Sequence, residues 1–130
     1  MGIRYEKSSI LNWINEMGKF LRLVVDKWEG NLQDLADQEI DQGYADFFGL
    51  SKESITNMKE VEILQFLDSL ELEKIHPLGK LLLYDGLIHQ QADLLTLSKF
   101  ILEENMKRTG NYSFEDYGYL AKIDQALASK

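Results

Sequence analysis

Cysteine is absent from the 130 residues, so disulfides, thiolate metal sites and cysteine nucleophiles are not open to this chain. Proline occurs once, at Pro77, and no apolar run approaches the ~20 residues that a membrane-spanning helix needs. Basic residues are in the minority: 14 Lys and Arg stand against 22 Asp and Glu, a net charge of −8. A phosphate-binding surface needs clustered Lys and Arg, so neither nucleic acid nor an anionic membrane is an expected partner. The chain does not start with a basic region leading into an apolar stretch, and Glu6 stands where a myristoylation signal needs Ser or Thr. The sequence therefore reads as cytoplasmic. G-x-S-x-G, a glycine-rich phosphate loop and H-E-x-x-H are also missing, and each absence removes a common route to catalysis.

What the chain does have is apolar content arranged at helical spacing. Hydrophobic residues make up 45% of the sequence and aromatics 11%, enough for a core in one domain of this length. Ile10, Ile14, Met17, Leu21, Val24 and Trp28 recur three and four apart, which predicts a first helix from Ser9 to Trp28, widened by Trp13 and Phe20 and stopped at Gly30. This most apolar segment is expected to be the central core helix. The alternative is that part of its stripe is a dimer seam, because Trp13, Phe20, Leu21, Val25 and Trp28 together are more than one small core readily encloses.

A second helix is predicted from Leu32 to Phe48, capped by Asn31, with Leu35, Ala36, Ile40, Tyr44 and Phe47 inward. Gly49 ends it, and Ser51 opens a short turn or helix around Ile55 and Met58. A stretch from Glu60 to Leu70 is expected to turn Val61, Leu64 and Leu67 inward. Pro77 suits the first turn of a helix, where its missing N–H costs nothing. That helix carries Leu81, Leu82, Tyr84, Leu87 and Ile88, breaks near Gln91 to Asp93, and pairs with another from Leu94 to Met106 as a helical hairpin. Gly110 and Asn111 mark a turn, Ser113 caps the last helix, and Phe114, Tyr117, Leu120, Ile123 and Leu127 are its expected core side chains. Alternating strand patterns are missing. The fold class is all-α: five to six helices in a compact bundle, with an N-terminal part over 1–76 and a C-terminal part over 77–130.

The segment from Leu78 to Leu102, with Leu82, Gly86, Ser98 and Leu102, resembles a degenerate tetratricopeptide unit, in which small residues let paired helices approach closely. His89 stands where that repeat usually has an aromatic. Ile10 to Val25, Phe48-Gly49-Leu50, and Ser113-Phe114-Glu115 followed by Lys122-Ile123 resemble, over most of the chain, an uncharacterised family of small all-helical bacterial proteins. That resemblance implies a fold and carries no activity.

Among candidate chemical groups, Asp85, His89 and Asp93 are spaced i, i+4 and i+8, which would put them on one face of an unbroken helix and could suit a metal. The predicted break near Gln91 turns Asp93 away, so they are read as helix surface. Asp34, Asp37, Asp41 and Asp46 belong to an acidic middle: residues 31–75 hold eleven carboxylates and three lysines. Facing outward together, they would favour a basic partner. Tyr112, Tyr117 and Tyr119 read as core and rim packing. No catalytic, cofactor-binding or metal-ligating residue is assigned, and no cofactor is expected. The functional expectation is a helical protein-interaction module, an adaptor or accessory subunit, with a protein partner and a homodimer as candidate assemblies. The alternatives are an enzyme or small-ligand binder using His89 with Asp85 or Tyr84, and an acidic neutralising protein of the immunity or antitoxin kind.

Overall fold

The computed structural model describes residues 2–31 and 35–129, with side chains from residue 9 onward. Along them run seven α-helices and no strand: α1 (Gly2–Glu29), α2 (Asp37–Phe48), α3 (Lys52–Thr56), α4 (Glu60–Asp68), α5 (Ile75–His89), α6 (Ala92–Thr109) and α7 (Phe114–Ala128), with a 3₁₀ turn at Leu72–Lys74 before α5. The count exceeds the expected five to six because the acidic middle is cut twice. Gly49 takes a left-handed φ of 77°, and the Ser51 hydroxyl caps α3 by accepting from the Ser54 amide at 3.1 Å, so α3 stands as a helix of its own. None of the helices is long and apolar enough to cross a membrane.

The centre of the fold is α5, not α1. Residues 81 to 86 are all buried, because α5 packs against α6, α1 and α7. A helix apolar all round is stable only when it is covered all round. Its pairing with α6 depends on missing side chains: a Cβ at Gly79 would lie 2.7 Å from Leu102 Cδ2, and one at Gly86 2.9 Å from Leu95 Cδ2. The buried Ser98 hydroxyl donates to the Gly79 carbonyl at 2.7 Å, bonding across the same close approach.

On α1 the inward stripe is Trp13, Met17, Phe20, Leu21 and Val24, whereas Ile14 and Trp28 are each 38% exposed at its edge. The aromatic surplus that suggested a dimer seam is mostly absorbed within the chain. Trp13 Nε1 donates to the Phe47 carbonyl at 3.0 Å, its ring meets Phe47 and Phe48 edge-on, and Phe20 stacks on Phe47 at 5.3 Å. Trp28 lies against Tyr84, its ring also capped by Lys122.

One helix starts later than expected, although Leu35, Ile40 and Tyr44 are inward as predicted, and two others are rotated from their expected positions. α2 begins at Asp37 rather than Leu32: Glu39 reaches back to the Ala36 amide at 2.9 Å and closes the N-terminus there. The expected Asn31 cap fails accordingly, residues 32–34 lie outside the described residues, and Ala36 is exposed. In α4 the buried residues are Ile63 and Leu67, while Val61 is 64% exposed. In α7 the inward face is Asp116, Tyr119, Leu120, Ile123 and Leu127, and Phe114 is 96% exposed. Both helices carry enough apolar residues to draw more than one stripe, so hydropathy alone leaves their rotation open.

Candidate functional site

Asp85 is a fully buried acid in the middle of α5, and burying a charge is costly unless it is paired and hydrogen-bonded. Three side chains meet it. His89, one turn on, places Nδ1 2.7 Å from Oδ1; the buried Tyr44 hydroxyl donates to Oδ2 at 2.7 Å; and Lys52 Nζ stands 3.4 Å from the same oxygen while holding Asp41 at 2.7 Å. The second ring nitrogen of His89 is 3.0 Å from Asp37 at the start of α2, and Lys27 pairs with Asp37 at 3.4 Å. The network thus ties α5 to α1, α2 and α3.

Electrostatics follow from this arrangement. Burial pushes the Tyr44 hydroxyl well above its ordinary value, and the charge of Asp85 adds to the effect. For His89 burial works against the charged ring, but hydrogen bonds to Asp37 and Asp85 outweigh it and hold the imidazole above 6.5. The same His89 contact holds Asp37 below the usual carboxylate value. Chemically, the His89 ring is clamped between two carboxylates, which favour its charged form. A general base needs a free nitrogen facing its substrate, and here both nitrogens are engaged. The arrangement braces the bundle, and the last turn of α5 is a position that favours the protonated form of His89.

The sequence-predicted set is only partly assembled. Asp85 and His89 meet, but Gln90 takes a left-handed φ of 53°, ends α5 and leaves Asp93 exposed on the first turn of α6. Of the acidic run, Asp37 and Asp41 are tied to His89, Lys27 and Lys52; Asp46 accepts from Gln42 on the far side of α2; and Asp34 lies outside the described residues. These carboxylates do not form one free outward field. No protein-family model matches the chain, and no curated protein or solved structure is significantly similar to it.

The surface feature that stands apart is the outward side of α7. Phe114, Tyr117, Gly118, Ala121, Gln125 and Ala128 are all exposed and recur three and four apart, a second stripe opposite the buried one. The strip carries no formal charge, with an aromatic end and a small-residue end. Sequence reasoning placed Phe114 and Tyr117 in the core because their spacing is helical; the residue that sets the true rotation is the buried, polar Asp116, which hydropathy counts against the core. Asp116 meets the imidazole of His76 at 2.6 Å across 40 residues of sequence, a contact that sequence spacing could not show.

Linkage at His89 gives a prediction with a definite sign. Its folded-state pKa is raised, so the native state binds more protons than the unfolded chain between the two values, and stability falls as pH rises through that window. The contribution is complete below about 6.5 and lost above the raised value. Denaturant unfolding followed from pH 6 to pH 9 should show declining stability, and His89→Gln should flatten the decline. An unchanged slope in that variant would assign the titration to another group.

Proposed function

We propose that the chain is a helical protein-interaction module, an adaptor or accessory subunit, that receives an amphipathic helix of a protein partner on the outward face of α7. The observation that carries this reading is Phe114, a phenylalanine 96% exposed at the head of an uncharged strip in which Tyr117 is 52% exposed. Aromatic anchors supply much of the energy of protein interfaces, and small residues such as Gly118 and Ala121 permit close helix approach. The resemblance of α5, α6 and α7 to a tetratricopeptide unit belongs to the same reading. Its support is the close α5–α6 contact at Gly79 and Gly86, and a repeat helix at the end of a stack presents its outer side to whatever comes next. A cytoplasmic address and a partner with some basic residues, matched to the acidic chain, are part of the proposal.

Phe114→Ser with Tyr117→Ser tests it. Because both side chains project into solvent, the double variant should keep its unfolding midpoint within about 0.5 kcal/mol of the parent. Affinity capture from the native host should recover a partner with the parent chain and lose it with the variant. Recovery of the same proteins by both would reject the α7 face.

A homodimer through α1 is a second reading. It rests on Leu11 at 54% and Leu23 at 47% exposure, and on a cleft of about 550 Å³ beside Gly18. Light scattering separates self-association from capture of a different partner.

A further inference from the structure

The first turns of α5 and α7 meet beside a cleft of about 350 Å³, whose lining includes His76, Glu115 and Asp116. One ligand atom from each of the three lies within 4.8 Å of the other two. We propose that this is a binding site for a borderline divalent transition metal, with zinc as its best occupant. The inference is independent of the partner reading, since it uses none of the residues in the α7 strip.

The donor set is what recommends it. An imidazole nitrogen with two carboxylate oxygens suits zinc, and three protein ligands leave a further position open toward the solvent side of the cleft. The groups come from different parts of the chain and are positioned in advance. His76 is held in the first turn of α5 beside Pro77, and Asp116 is held by the Ser113 cap, whose hydroxyl accepts from the Asp116 amide at 3.1 Å. Asp116 is buried and already meets Nε2 of His76 at 2.6 Å, so the two groups face the same point. Glu115 is exposed, and its carboxylate, which interacts with the Tyr119 hydroxyl, would exchange that contact for the ion. Tetrahedral zinc with bonds of about 2.0–2.2 Å sets neighbouring ligand atoms ~3.3 Å apart, a modest rearrangement from the present positions. The ion would take the place of the proton shared between Nε2 and Asp116; that proton passes to Nδ1 of the same ring or to solvent.

Selectivity follows from the surroundings. The positive end of the α7 dipole opposes a cation held by charge alone, so affinity depends on the imidazole. Magnesium and calcium, which seek oxygen ligands and gain little from imidazole, should bind poorly.

The test uses the full chain stripped of metal and titrated with zinc chloride against a chromophoric chelator, with cobalt(II) absorption as a report on the ligand set. One equivalent of zinc should bind, with magnesium in excess failing to displace it. Glu115→Gln, a change at an exposed position that leaves the His76–Asp116 contact in place, should weaken zinc binding at least about tenfold. His76→Gln should abolish the cobalt spectrum, and His89→Gln should leave both signals unchanged. The proposal is overturned if zinc does not bind at millimolar concentration, if Glu115→Gln binds as tightly as the parent, or if the signal disappears with His89 instead of His76.

Discussion

Asp85→Ala should destabilise the fold by about 3–5 kcal/mol, the cost of breaking a buried ion-pair network from one side. The substitution removes the acceptor shared by Tyr44, Lys52 and His89, and it leaves the buried Tyr44 hydroxyl without its 2.7 Å partner. Tyr44→Phe removes a single hydrogen bond to a charged group and should cost less, about 1.5–3 kcal/mol. Because the two side chains touch, the double variant should be less unstable than the sum of the singles. Urea unfolding of the four proteins measures the coupling directly. Additive losses would mean that Tyr44 and Asp85 contribute independently, contrary to the hydrogen bond between them.

Leu82→Ala should cost about 2–5 kcal/mol, since Leu82 is fully buried in the helix that α1, α6 and α7 pack against. Val61→Ala, at a position whose spacing pointed inward, should change stability by no more than about 0.5 kcal/mol. The contrast tests the rotation of α4 as well as the centrality of α5. A loss at Val61 comparable to that at Leu82 would place the inward face of α4 on Val61, Leu64 and Leu67 after all. Unfolding midpoints at fixed pH suffice for the comparison.

Much of this architecture is legible in local chemistry. The stops at Gly30, Gly49 and Gly110 are glycines with left-handed φ, the Ser51 and Ser113 caps accept amides as expected, and Pro77 lies in the first turn of α5. Each depends on a few neighbouring residues. The hairpin of α5 and α6 is likewise visible, because two helical apolar patterns flank the break predicted near Gln91, and Gln90 takes the left-handed φ that ends α5 there.

Other features depend on groups brought together from distant parts of the chain. The aromatic first helix looked central by composition, yet α5 occupies the middle because three helices cover it, and composition carries no information about what covers a helix. His89 was legible as the neighbour of Asp85 one turn away, but Tyr44 and Lys52 arrive from α2 and α3 only when the chain folds. The same holds for His76 and Asp116.

The sequence by itself determined that the chain is helical, where most of its helices stop, and that no helix could span a membrane, because periodicity, caps and run length are properties of contiguous residues. Tertiary structure decided which stripe of α4 and α7 is buried, which acids are neutralised, and that Phe114 stands in solvent. Those outcomes turn on burial and pairing between residues about 40 positions apart, and a buried carboxylate such as Asp85 is tolerated only once its distant partners are in place.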